Sequence, residues 1–104
     1  MKKEEKKRIN DACVLAWDVC RGAIRNDGAP RVERLRSCNA HVEFYNDYIV
    51  LVSYSTIVAF IDENGKLFDV LRLVYGYTAT SAQHIAKFKD DFSWAWSVSY
   101  RYKE

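Results

Sequence analysis

A single α+β domain is predicted by three features of the 104-residue chain. The first quarter repeats its apolar residues at a helical period. The middle switches to period two. A second helical stretch then separates that middle from an alternating aromatic tail. The expected architecture is an N-terminal amphipathic helix and a short second helix packed on an antiparallel sheet of four to five strands. One further helix precedes the final strand. Residues 1–104 are read as one domain, because the length suits one core and no repeat, low-complexity tract or linker divides it.

From Lys3 to about Asn26 the apolar positions Ile9, Cys13, Ala16/Trp17, Cys20 and Ala23/Ile24 lie three and four apart, one stripe of a helix. Gly28 and Pro30 end it. Pro30 suits the first turn of a short second helix through PRVERLRSC, with Val32, Leu35 and Cys38 facing inward. After Asn39 the segment HVEFY alternates, placing Val42 and Phe44 on one face, and Asn46-Asp47 reads as a tight turn. YIVLVSY and TIVAFID are apolar on both faces, the mark of strands covered on both sides, and Ser55 between them is either a turn or a bend. Asn64-Gly65 suits a type I′ hairpin, after which LFDVLRLVY continues as a strand. Thr80-Ser-Ala-Gln83 has the form of a capping box for a helix that runs through Ile85 and Phe88 to about Asp91. The tail FSWAWSVSYRY, Phe92 to Tyr102, alternates large and small residues as a strand does. Phe92, Trp94 and Trp96 are assigned to the core and Tyr100 to Tyr102 to a contact surface. The small Ser/Ala face of the same strand suits edge pairing with a second copy, a homodimer.

Hydrophobic residues make up 49% and charged residues 29%, proportions that argue against disorder. A net charge of +2 is too small to demand a nucleic-acid partner, but it is unevenly spread. Residues 1–40 carry ten Lys/Arg against six Asp/Glu, net +4, and residues 41–104 carry six against eight, net −2. The apolar run Tyr48 to Val52 is too short to span a membrane. The opening MKKEEKKRIN is charged where a secretory signal is apolar. Three cysteines without paired spacing suit a reducing compartment, so a cytoplasmic protein without membrane contact is expected.

No catalytic set is expected. His84 is the one residue with an enzymatic look, yet Ser81 precedes it at a helix start, where Ser and Thr serve as caps. Tyr77, Thr80, Gln83 and His84 are therefore read as structural polar residues. Cys13 and Cys20 share an apolar helical stripe rather than a metal-binding pair, and no phosphate-binding or dinucleotide motif is present, so neither metal nor cofactor is expected. Arg21, Arg25, Arg31, Arg34 and Arg36 cluster around the end of the first helix. Together with Tyr100, Arg101 and Tyr102 they are the candidate partner-binding residues, since guanidinium groups suit carboxylate or phosphate and Tyr is favoured at interfaces.

Two stretches carry a resemblance. Tyr54, Thr56, Val58 and Ala59 lie in one, and Tyr77, Thr78, Thr80, Ser81, His84 and Phe88 in the other. Together they resemble a group of small uncharacterised domains of bacteriophages and mobile genetic elements. What the resemblance implies is a genomic setting in which small proteins bind a host component. The expected function is a non-enzymatic inhibitor of a bacterial defence system, such as a CRISPR effector, acting by protein–protein contact. The mixed charge argues against mimicry of DNA. The alternative is a nucleic-acid-binding or transcription-regulating protein that uses the basic N-terminal half.

Overall fold

The computed structural model describes residues 2–104. Helix α1 (Lys3–Asn26) leads into strands β1 (Arg31–Arg34), β2 (Ala40–Phe44), β3 (Ile49–Ser53), β4 (Thr56–Ile61) and β5 (Lys66–Asp69). One helical turn, α2 (Leu71–Val74), helix α3 (Ala79–Asp91) and strand β6 (Val98–Arg101) follow. The strands form one sheet in chain order, antiparallel from β1 to β5, with β6 parallel to β5. The α+β class is thus as predicted, with six strands in place of four to five.

Strand alternation sends side chains to two separate cores. Val42, Leu51, Ala59 and Leu67 face α3, where Ile85 and Phe88 meet them. Val50, Val52, Phe60 and Phe68 face α1 and pack on Cys13 and Cys20. This double coverage is why YIVLVSY and TIVAFID are apolar throughout. A bulge at Val58, where the register with β3 shifts, puts Val58 and Ala59 on the same side. On the α1 side Trp17, Phe60, Phe68 and Tyr100 stack in a row with centroids 5.3–6.0 Å apart.

Several elements differ from expectation. PRVERLRSC forms β1 and a turn, not a second helix: Arg31–Arg34 pair with His41–Phe44, and the buried Leu35 donates its N–H to Ala40. LFDVLRLVY does not continue as a strand, because Asp69 Oδ1 accepts from the Leu71 N–H and starts α2. The tail is strand only from Val98; Phe92 to Trp94 prolong α3 as a turn, held by Ser93 N–H to Asp90 O and Ala95 N–H to Phe92 O. The last strand is parallel to its neighbour because the α2–α3 crossover returns the chain to the same end of the sheet. Gly65 has φ +77° and Asn64 does not have positive φ, so the loop is not type I′. Asp62 Oδ1 accepts from Asn64 N–H and Lys66 N–H instead, closing a longer turn with Gly65 as its bulge. The open question at Ser55 resolves as a two-residue turn, Tyr54-Ser55, between paired Ser53 and Thr56.

Candidate functional site

At the start of α3 a polar knot replaces the core. Ser53 Oγ lies 2.8 Å from His84 Nδ1 and 2.9 Å from Ser81 Oγ, and all three residues are buried. Burial, assisted by Lys87, pushes the His84 ring below the ordinary histidine pKa. A neutral ring leaves Nδ1 free to accept the Ser53 proton, and the Ser53 oxygen then accepts from Ser81. His84 is thus a strand-to-helix clamp, and its partner is the Ser53 side chain. Thr78 is the true N-cap, its Oγ1 accepting from Ser81 N–H at 3.2 Å, which leaves Thr80 and Gln83 exposed. Above the knot opens a cavity of about 290 Å³ whose lining includes Tyr54, Tyr75, Thr56 and Thr80. Tyr54 has φ 58°, as a two-residue hairpin turn demands of its first residue, and its ring centroid is 5.8 Å from that of His84. A base, two hydroxyls and no carboxylate make this knot better suited to holding β3 on α3 than to activating a nucleophile.

The arginines disperse. Arg21 pairs with Asp18 and lies over Trp17, and Arg25 ends α1. Arg36, with φ 52°, chelates Asp91 through Nε and Nη2 and reaches Asp90 at 2.8 Å, so it ties the β1–β2 turn to the end of α3. The Arg36 guanidinium in turn holds the Asp91 carboxyl below its ordinary range. Arg34 donates to Cys38 O at 3.3 Å. Tyr100 is stacked on Phe68 and Tyr102 packs on the α1 side, so both belong to that core, while Arg101 is drawn to Asp69 at 3.4 Å. β1 and β6 are opposite edges of the sheet, roughly 24 Å apart at about 4.8 Å per strand. Arg31, Arg34 and Arg36 therefore do not share one surface with Tyr100 to Tyr102.

One aromatic assigned to the core is outside it. Trp94 is 73% exposed, on the turn after α3 and 5.9 Å from the Phe92 ring. Beside it runs a groove of about 430 Å³, floored by Val42 and Phe44 and walled by Arg31, Glu33 and Trp94. The Arg31 guanidinium lies 4.1 Å over the Phe44 ring, with its Nη1 3.6 Å from Glu33 Oε1. Every residue of β1 is exposed, and the strand pairs with β2 alone. At the opposite side of the sheet α1 holds the chain just after β6: Asn10 donates to Lys103 O at 2.6 Å and accepts from Lys103 N–H at 2.8 Å.

A family of unknown function, DUF8033, matches residues 28–97, two-thirds of the chain. The chain belongs to this family. The DUF8033 match takes in β1 through α3 and Trp94, the elements that build both the knot and the groove, and leaves α1 and β6 outside it. No curated protein and no solved structure matches the chain.

Among the described residues no group of His, Cys, Asp or Glu is arranged to hold a metal ion. Burial pushes the Cys13 thiol up to about 11 and the Cys20 thiol to about 12, so both are protonated packing residues. No helix among the described residues is long and apolar enough to cross a membrane. Trp94 escaped the sequence reading because its alternation with Phe92 and Trp96 imitates a strand. In the turn the same spacing buries Phe92 and Trp96 in part and turns Trp94 out. The available signal was Asp90-Asp91 just before it, acceptors placed to hold Arg36.

Proposed function

We propose that the domain is a non-enzymatic protein-binding module that docks through its open β1 edge and the groove beside it. Trp94 carries the reading. An indole left 73% exposed on a hydrogen-bonded turn has the geometry of an interface anchor. Arg31 and Arg34 line the groove beside Glu33 and Asp91, a balanced set that suits a partner segment of mixed charge, which can add to the free edge of β1 by backbone hydrogen bonds. In the setting that the phage-domain resemblance implies, the partner is a bacterial protein. Occupying a defence effector such as a CRISPR effector would then make the domain an inhibitor. Tyr100 and Tyr102, packed in the α1-side core, are withdrawn from the docking surface.

A second reading rests on the same residues. An exposed indole beside two arginines also suits a stacked base and its phosphate. Affinity capture from bacterial lysate, run with and without nuclease, separates the two. The expected result is a nuclease-resistant protein partner retained by the natural chain and lost from a Trp94→Ala, Arg31→Ala variant that stays folded. A partner kept equally by that variant sinks the assigned surface. Retention that vanishes on nuclease treatment transfers the groove to nucleic acid, with affinity that falls as salt rises.

A further inference from the structure

On the far side of α3 from the Trp94 groove, a second cleft gathers positive charge. Its volume is about 300 Å³, at the small end of ligand sites. Arg72 of α2, Lys89 of α3 and Arg101 of β6 all line it, against one carboxylate, Asp69. Three elements thus deliver three cations to one concavity, net +2. Asp69 offsets only one of them, Arg101, whose Nε lies 3.4 Å from Asp69 Oδ2, while Asp69 Oδ1 accepts from Leu71 N–H. Lys89 and Arg72 are half-buried and have no carboxylate partner among the described residues. Lys89 Nζ donates to Ser99 Oγ at 3.3 Å and lies 5.1 Å from the Trp96 centroid, and the Arg72 guanidinium lies 4.4 Å from that of Tyr77. Apolar Leu71 and Ile85 line the same cleft, and Tyr77 is 55% exposed.

We infer that this cleft binds the phosphate group of a small phosphorylated aromatic ligand, of the class of a nucleoside monophosphate. Two guanidinium groups and an ammonium suit a tetrahedral dianion with three acceptor oxygens. The apolar floor and Tyr77 suit a flat ring attached to it. The site is independent of the docking surface above, and its failure leaves that surface untouched.

Amide and indole shifts of the isotope-labelled chain, followed by NMR, test the assignment with three probes: inorganic phosphate, adenosine monophosphate and adenosine. The monophosphate is expected to move the Trp96 indole and the amides around Arg72 and Lys89 at millimolar concentration. Inorganic phosphate should move the same signals more weakly, and adenosine should not move them. An Arg72→Gln, Lys89→Gln variant with unchanged Tm should bind about tenfold or more weakly, because charge-assisted contacts are lost. The Trp94→Ala variant should bind as the natural chain does. Silence with both phosphates, equal response to adenosine, or undiminished binding by the double Gln variant overturns the proposal. Tighter binding of a single-stranded oligonucleotide without terminal phosphates overturns the small-ligand assignment.

Discussion

Among single residues, His84 is where burial and chemistry are most tightly joined. Its ring is neutral because desolvation, with Lys87 nearby, disfavours the charged form. The ordinary value near 6.5 belongs to the unfolded chain, and the folded value lies below it. Above 6.5 neither state is protonated and the full stability is present. As pH falls below 6.5 the unfolded chain takes up the proton first, so stability declines until the folded ring also protonates. The urea midpoint should therefore drop between pH 7 and pH 5.5. His84→Gln should flatten that slope. A slope unchanged in His84→Gln would refute this account. Ser53→Ala should cost about 1–3 kcal/mol at pH 7.5, because it strands two buried polar partners.

The elements show which signals in the chain were legible. Helix α1 was, because twenty-four residues of consistent period leave no alternative. The β3–β4 hairpin was, because strands covered on both faces read as near-continuous apolar runs. The β1 segment was not. Four residues reading Arg-Val-Glu-Arg support helix and strand equally, and only the ladder to β2 decides. The start of α3 lies two residues before the expected cap for a related reason. Thr78 and Thr80 are both competent caps, and the choice is made by Ser81, whose side chain is already engaged by Ser53. The groove was invisible because its walls come from β1 and the turn after α3, sixty residues apart in the chain. Thr78→Ala should accordingly lower stability by about 1 kcal/mol, the usual worth of an N-cap. Thr80→Ala, on an exposed side chain, should change it little. Equal effects in urea unfolding would restore the later cap.

For the whole molecule, one sheet serves two cores, and this sets how the domain fails. Phe60 is fully buried on the α1 face and Phe88 on the α3 face, each with a ring neighbour within 6 Å. Replacing either by Ala should cost about 3–5 kcal/mol, the transfer loss plus the cavity left behind. A domain of this size holds only about 5–15 kcal/mol in total. Each single variant should therefore fold with little margin, and the double variant should be unfolded at 37 °C. The loss should be global in both cases. β3 and β4 contribute to both faces, so neither layer can lose its packing while the strands keep their register. Trp17 on the α1 side and Trp96 on the α3 side report the two layers separately. With Trp94 replaced by Phe and only one reporter left in each variant, both fluorescence transitions should coincide in urea. Coincidence would mean that ligand binding in the Arg72–Lys89 cleft stabilises the α1 layer as much as its own, since both belong to one cooperative unit. Transitions that separate would mean that α1 docks on an already folded β1–α3 unit, the span that the family match covers.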